Sequence, residues 1–486
     1  MALTRLPVEL LEMIITHALP EGFESMALTC RKIHAVCVPF IKRHNTLRSR
    51  FRTVTCHFQK SDPSFTIRAA FNLITCIADE PVAARYLRDA DFWADSFHFT
   101  KRPTYEPIPD IYHPGTDAHL SEAVLRLLAD SPYLEQAALD WKEYAAKIER
   151  ELKDFRTARH YSQYAAAFLL TLLPNVETLT LPQRWKPVDA TDKLINVIVH
   201  NAKQSNFGMP SLTQLKRFTL FQNPDWASPF LCLPHVRCFF GSACVAMSEG
   251  HKSIASKDLY RGFGGTLEEA VLKDCCIDEV GITNFLKYTP HLKTLRYSHM
   301  TNEFGNPWSW NICKFLTAIE REAGGHLVEL SVSIYRSRRS ISPGKASLRG
   351  FQCLQKLQLP LEVASCNINA ALCQVTTPND SLARSSTDHE LNYSEPFIGD
   401  VIPASVIQVS LLSDGTDQHE HTLDIMFRHF AAKKKSLLPA LKEIYLSCPS
   451  SATNGYKDRC SRLLAESEKG SVILHLAKWS SDVKIK

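Results

Sequence analysis

No Asp or Glu occurs between Ser25 and Ser61, no C-x-x-C pair occurs anywhere, and no apolar run reaches the roughly 18 residues a spanning helix needs. The fifteen cysteines are scattered from Cys30 to Cys460. Zinc fingers and thioredoxin-like motifs need two thiols close enough to meet one ion or one another, and that spacing is missing. The cysteines therefore read as reduced, mostly buried thiols, and adjacent Cys275 and Cys276 make a poor disulfide pair. Nor does a basic leader precede an apolar stretch, so no signal peptide is expected. These absences predict a soluble chain of the cytoplasm and/or nucleus, with no membrane contact.

The signatures of catalysis are also missing. Gly344-Lys345 lacks the earlier glycine of a P-loop and has Ala346 where Ser or Thr would hold magnesium. "RGFGGTL" reads as a turn leading into Leu267, not as a dinucleotide loop. In "SDGTD" (Ser413 to Asp417), Leu412 stands where a phosphatase nucleophile would be. "HEHT" has Leu423 in place of the second His of H-E-x-x-H. Asp417, His419, Glu420 and His421 are read as an exposed polar loop in preference to a metal site. No G-x-S-x-G is present. The expectation is no catalytic residue, no metal, no cofactor and no enzymatic activity.

What is present is ordinary globular composition, with 486 residues, 45% apolar and 22% charged. That length predicts two or three packed units. A net charge of +5 is mild for the size and does not itself imply nucleic acid or membrane. The acid-free stretch carries Arg31, Lys32, Lys42, Arg43, Arg48, Arg50, Arg52 and Lys60, which could grip phosphates. Without interleaved aromatics it reads as a solvated basic face.

The first fifty residues predict three short helices. Pro7 suits a first turn, Glu9 favours the positive helix end, and Leu10, Leu11, Ile14, Ile15, Ala18 and Leu19 recur at helical steps. "LPEG" ends that helix. A second is expected from Phe23, with Phe23, Met26, Ala27 and Cys30 on one side. A third carries Ile33, Val36, Cys37 and Ile41, with Pro39 expected to break or kink it. Such short helices are marginal alone. They need cover from the rest of the chain or from another protein, and the stripe is wide enough for both.

"LPVELLEMIITHAL…FESMALTCRKI" resembles an F-box, the adaptor-binding module of SCF-type ubiquitin ligases. The matching features are Leu6-Pro7-x-Glu9-Leu10-Leu11, the following Ile14 and Ile15, and the closing Cys30-Arg31-Lys32-Ile33. Thr29 departs from the usual aliphatic residue and Ile33 from the common aromatic. The resemblance covers about a tenth of the chain. It implies a Skp-type adaptor as partner, with the cullin/RING ligase core behind it. The adaptor-binding residues it implies are Leu6, Pro7, Glu9, Leu10, Leu11, Ile14, Phe23, Met26, Thr29 and Cys30.

After the Pro-rich stretch from Pro103 to Pro114, residues 120–173 turn helical. "DWKEYAAKIERELKDF" is expected to face solvent with Glu143–Lys147 and Glu149–Lys153 pairs. From Pro174 an L-x-x-L-x-L spacing recurs. It appears at Val176/Leu179/Leu181, Leu215/Phe218/Leu220, Leu292/Leu295/Tyr297 and Leu327/Leu330/Val332. It returns at Leu354/Leu357/Leu359, Val406/Val409/Leu411 and Leu441/Ile444/Leu446. The fullest copy runs Leu267/Ala270/Leu272/Cys275/Ile277, and Cys275 and Asn223 stand at the Asn/Cys position of a leucine-rich repeat. The last three template residues predict an inward period-2 face, and each strand follows an apolar helical piece. The pattern resembles the degenerate leucine-rich-repeat half of fungal F-box proteins.

The fold expected is α/β: a three-helix F-box (1–50), a mostly helical connector (51–170), and an irregular leucine-rich-repeat-like solenoid (171–450) with loops near 334–347 and 374–400. Residues 451–486 form a cap or tail. The function expected is substrate recognition for a ubiquitin ligase, with an unknown target protein on the repeat surface. A repeat scaffold without a ubiquitin role, or a nucleic-acid grip through residues 31–60, is the alternative.

Overall fold

Every template residue named above is buried, none of them more than 2% exposed. Backbone pairing explains why. In the computed structural model, which describes residues 3–56, 70–96, 119–154, 163–183, 185–204, 210–221, 229–246, 264–300, 310–336, 344–375, 397–449 and 461–479, the chain is mixed α/β. Within each unit the strands are parallel and, the short strand Val245–Ala246 apart, pair in chain order, so the same template position falls beside itself from strand to strand.

Two units are distinguished, residues 1–222 with 226–238, and residues 223–225 with 239–486. The first holds β1 (Thr53–Thr55), β2 (Asp89–Asp91), β3 (Thr178–Thr180) and β4 (Arg217–Phe221). Their register aligns Val54, Ala90, Leu179 and Phe218. Helices Ala70–Asp79, Ala83–Tyr86, Glu122–Ala129, Pro132–Gln136, Trp141–Asp154, Gln163–Leu170 and Asp189–Lys203 accompany them.

In the second unit are β5 (Cys238–Ser242, its first residue still in unit one), β6 (Val245–Ala246), β7 (Glu269–Ile277), β8 (Thr294–Met300) and β9 (Glu329–Arg336). They are followed by β10 (Lys356–Pro360), β11 (Gln408–Leu412), β12 (Glu443–Pro449) and β13 (Ile473–Trp479). From β7 to β13 the register runs Ala270, Leu295, Leu330, Leu357, Val409, Ile444, Leu474. Six helices, among them Ile312–Ala323 and Glu362–Val375, are described in this unit.

Three expectations need correction. Residues 51–170 are largely helical but also supply β1 and β2, so the strand ladder begins at Val54 and not after residue 170. Their templates, Phe51/Val54/Cys56 and Leu87/Ala90/Phe92, replace Leu by Cys, Ala and aromatics, which hides the L-x-x-L-x-L spacing. Second, the helix Trp141–Asp154 buries Tyr144, Ala145 and Ile148. Lys147 lies over the Tyr164 ring at 5.5 Å, and Glu149 accepts from the Leu120 N–H at 3.2 Å, while the Lys153 side chain lies outside the described residues. Third, Pro39 does not break its helix, as described below. The Pro103–Pro114 stretch, Asn223, Lys60 and most of the two expected loops lie outside the described residues.

The glycine-rich turn before Leu267 has a geometric cause. Gly264 has φ +62, its carbonyl accepts from the Leu267 N–H at 3.0 Å, and a Cβ there would stand 2.9 Å from the Tyr288 carbonyl oxygen. Only glycine takes that position without strain.

Candidate docking site on the N-terminal helices

Three helices open the chain: α1 (Val8–Ala18), α2 (Phe23–Ala27) and α3 (Arg31–Phe51). Pro7 is the N-cap of α1, one position before the expected first turn, with extended ψ of 152. Glu9 then sits in the first turn, where the helix dipole favours a carboxylate. Helix α3 continues through Pro39 for 21 residues. Proline at 39 leaves the Ala35 carbonyl without its helical donor. Ala35 and Pro39 are both exposed, so water can take that place and the helix survives.

The wide stripe of α1 is divided between two tasks. Leu11, Ile15 and Leu19 are fully buried, as are Phe23 of α2 and Ile33, Cys37, Leu47 and Phe51 of α3, and the three helices pack on one another. On the flank, Leu10 is 45% exposed and Met13 59%, while Leu6 and Ile14 are half-buried. Of the ten residues the resemblance assigned to docking, Leu11 and Phe23 are therefore core. A residue with no accessible surface has nothing to offer a partner. Pro7, Glu9, Leu10 and Thr29 are exposed, and Leu6, Ile14, Met26 and Cys30 are half-buried.

Sequence reasoning missed four exposed members of this surface: Leu3, Val8, Met13 and Leu28, the last 83% exposed. Val38 of α3 adds a fifth. Met13, at i+3 from Leu10, was legible as the outer edge of the stripe. Leu28 was not, because a lone leucine between helices has no periodicity to place it.

The helices are fastened to the rest of their unit by polar contacts. The Arg85 guanidinium donates to the His17 carbonyl at 3.1 Å and to Glu21 at 2.5 Å. Asn175 donates to Glu21 and to the Arg85 carbonyl. Buried His44 contacts the Tyr86 hydroxyl through Nδ1 at 2.9 Å and lies against Phe23. Burial pushes the Tyr86 phenol up to about 12, so it stays protonated in that contact. Several cations of the acid-free stretch are engaged within the chain: Arg43 with Glu80, Arg48 with Glu24, and Lys32 with the Thr4 carbonyl.

Several of the polar residues weighed for chemistry make contacts within the fold. His419 is buried on the helix Asp417–Met426 and not in an exposed loop, its Nδ1 2.7 Å from Asp414 and its Nε2 3.8 Å from Glu362. Burial depresses its pKa, with Asp414 opposing. Thr416 caps the same helix by accepting from the His419 N–H, which explains "SDGTD" as a helix start. Cys275, at the repeat's Asn/Cys position, is buried and donates to the Lys273 carbonyl at 3.3 Å. Among the described residues, no group of three or more His, Cys, Asp or Glu is placed to hold a metal, and no helix is long and apolar enough to cross a membrane.

No family model matches this chain, and no curated protein matches it in sequence.

Proposed function

We propose that this chain is a non-catalytic substrate-recognition subunit of an SCF-type ubiquitin ligase. Helices α1 to α3 act as an F-box that docks on a Skp-type adaptor and, through it, on the cullin/RING core. The parallel ladder is read as an irregular leucine-rich-repeat-like solenoid whose surface holds a target protein. The mechanism is proximity: a tethered target presents its lysines to the charged E2 enzyme at high effective concentration.

One observation carries this reading. Six of the thirteen exposed large apolar side chains among the described residues fall within the first 38 positions, on the segment bearing the L-P-x-E-L motif. Exposed apolar side chains gathered on one short folded segment suit a surface that a partner covers. Burying one leucine there contributes about 1.5–3 kcal/mol. A plain repeat scaffold would need no such patch.

Purified Skp-type adaptor, mixed with the intact chain, should be retained by it in a pull-down. Leu6→Ala/Pro7→Ala and Leu10→Ser/Met13→Ser should each abolish retention while leaving the circular dichroism melt in place. Point variants are needed because removing residues 1–50 would delete buried Leu11, Ile15, Phe23, Ile33 and Cys37 and nearly all of α3, which packs on the Ala83–Tyr86 helix and β1. Retention by both folded variants would end the F-box assignment.

A further inference from the structure

Parallel pairing does to charge what it does to leucine. The residue before each strand donates its backbone N–H to the residue before the previous one. Arg88 donates to Arg52, Glu177 to Arg88, and Lys216 to Glu177, at 2.8 to 2.9 Å. Residues far apart in the chain thus form one row, Arg52, Arg88, Glu177, Lys216, across the starts of β1 to β4. Strands about 4.8 Å apart would set three like charges close together. Glu177 relieves two of them, lying 2.7 Å from Lys216 and 3.9 Å from Arg88.

This row lines a cleft of about 610 Å³, entirely within the first unit. Arg217 lines the same cleft from β4, and Arg48 from α3, the latter paired to Glu24. Arg52 and Arg217 are exposed, and neither has a carboxylate partner among the described residues. His44 also lines the cleft, is 4% exposed, and leaves Nε2 without a hydrogen bond, 3.6 Å from Glu24. A cleft that holds an unsatisfied buried polar atom and two guanidiniums without a carboxylate among the described residues is a place where an added acceptor would be stabilised.

We propose that this cleft binds an acidic peptide, an extended segment whose Asp or Glu side chains are held by Arg52 and Arg217. The row spans roughly 14 Å, which matches four to five extended residues. The cleft's own carboxylates, Glu21, Glu24, Asp89 and Glu177, oppose a continuous phosphate backbone. A peptide tolerates them, because its backbone N–H groups can donate to them between its acidic side chains. The cleft's two rings, Tyr86 and His44, are both buried, so neither is offered for stacking a base. None of Leu3, Val8, Leu10, Met13, Leu28 or Val38 lines the cleft, so the site does not depend on the adaptor reading.

The test is fluorescence anisotropy with the full chain and a labelled Glu/Asp–Ser peptide of about eight residues, a length that covers the row with margin. Arg52→Glu/Arg217→Glu should weaken binding by at least about a hundredfold, one factor of roughly ten for each charge-assisted contact, and Arg52→Gln/Arg217→Gln by less. Both arginines are exposed, so both variants should melt as the native chain does; if the Glu pair fails to fold, the Gln pair decides. Raising salt should weaken binding, and a Lys–Ser peptide should not bind. Leu10→Ser/Met13→Ser should bind the peptide normally, which separates this site from the docking surface. Absence of acidic-peptide binding, or equal binding by the arginine variants, overturns the proposal. So does tighter, arginine-dependent binding of a single-stranded oligonucleotide of equal charge, which would reassign the cleft to nucleic acid.

Discussion

Leu10 and Leu11 are adjacent, chemically identical and opposite in consequence. Leu11 has no exposed surface, so Leu11→Ala removes buried methylenes and leaves a cavity. It should cost about 2–5 kcal/mol in urea unfolding. Leu10→Ala should change stability by about 0.5 kcal/mol or less, because its side chain is already half in water, yet it should weaken adaptor capture. Equal effects of the two on stability would contradict the division of the stripe. The sequence showed that both belong to one apolar band. Which side of the band faces inward depends on where α3 lies, and no local pattern contains that.

His299 makes a second residue-scale prediction. Its ring stacks on Trp310 at 3.8 Å, its Nδ1 meets the Tyr297 hydroxyl at 2.9 Å, and it is 2% exposed. Burial lowers its pKa to about 3. The folded state therefore holds the imidazole neutral, while the unfolded chain takes up a proton below about 6.5. Stability contributed this way is complete above that pH and is lost as pH falls toward 3, with a slope of at most about 1.4 kcal/mol per pH unit. His299→Phe keeps the stacking and removes the titration. Its unfolding free energy should fall less steeply between about pH 6 and pH 4 than that of the native chain. His419 is shifted in the same direction and should leave some acid sensitivity in the variant.

At the scale of elements, turns and caps were more legible than strands. "RGFGGTL" was read as a turn, and Gly264 makes it one through a left-handed backbone. Gly264→Ala should destabilise by about 2 kcal/mol, from the αL penalty plus contact with the Tyr288 carbonyl, measured as a lowered urea midpoint with unchanged slope. The start of α2 at Phe23 was also legible, because Pro20 and Gly22 end what precedes it. Strands β1 and β2 were not, since Cys56 and Ala90 do not resemble the core leucines that mark the equally short β3. Pro39 misled in the other direction. Proline breaks a helix when the freed carbonyl has no other donor, and exposure of Ala35 removes that condition.

At the scale of the molecule, the residues proposed for docking all belong to the first unit and the longest run of paired strands to the second. Leu330, fully buried on β9, tests that division. Leu330→Ala should cost about 3 kcal/mol or more in unfolding. Below its own melting transition it should still capture the adaptor as well as the native chain does. Loss of capture by the folded variant would mean that the N-terminal surface depends on the second unit.

What the sequence determined by itself was the repeated inward face. Six-residue templates recur because every strand must bury the same side, and that demand is written locally at each copy. It also determined the N-terminal stripe and the absence of catalytic motifs. Tertiary structure alone decided which leucines of the stripe are core and which are surface. It also decided that Arg52, Arg88, Glu177 and Lys216, scattered over 165 positions, stand in one row. Parallel pairing brings together residues whose separation along the chain is set by the lengths of intervening helices and loops. No periodicity in the sequence records that distance.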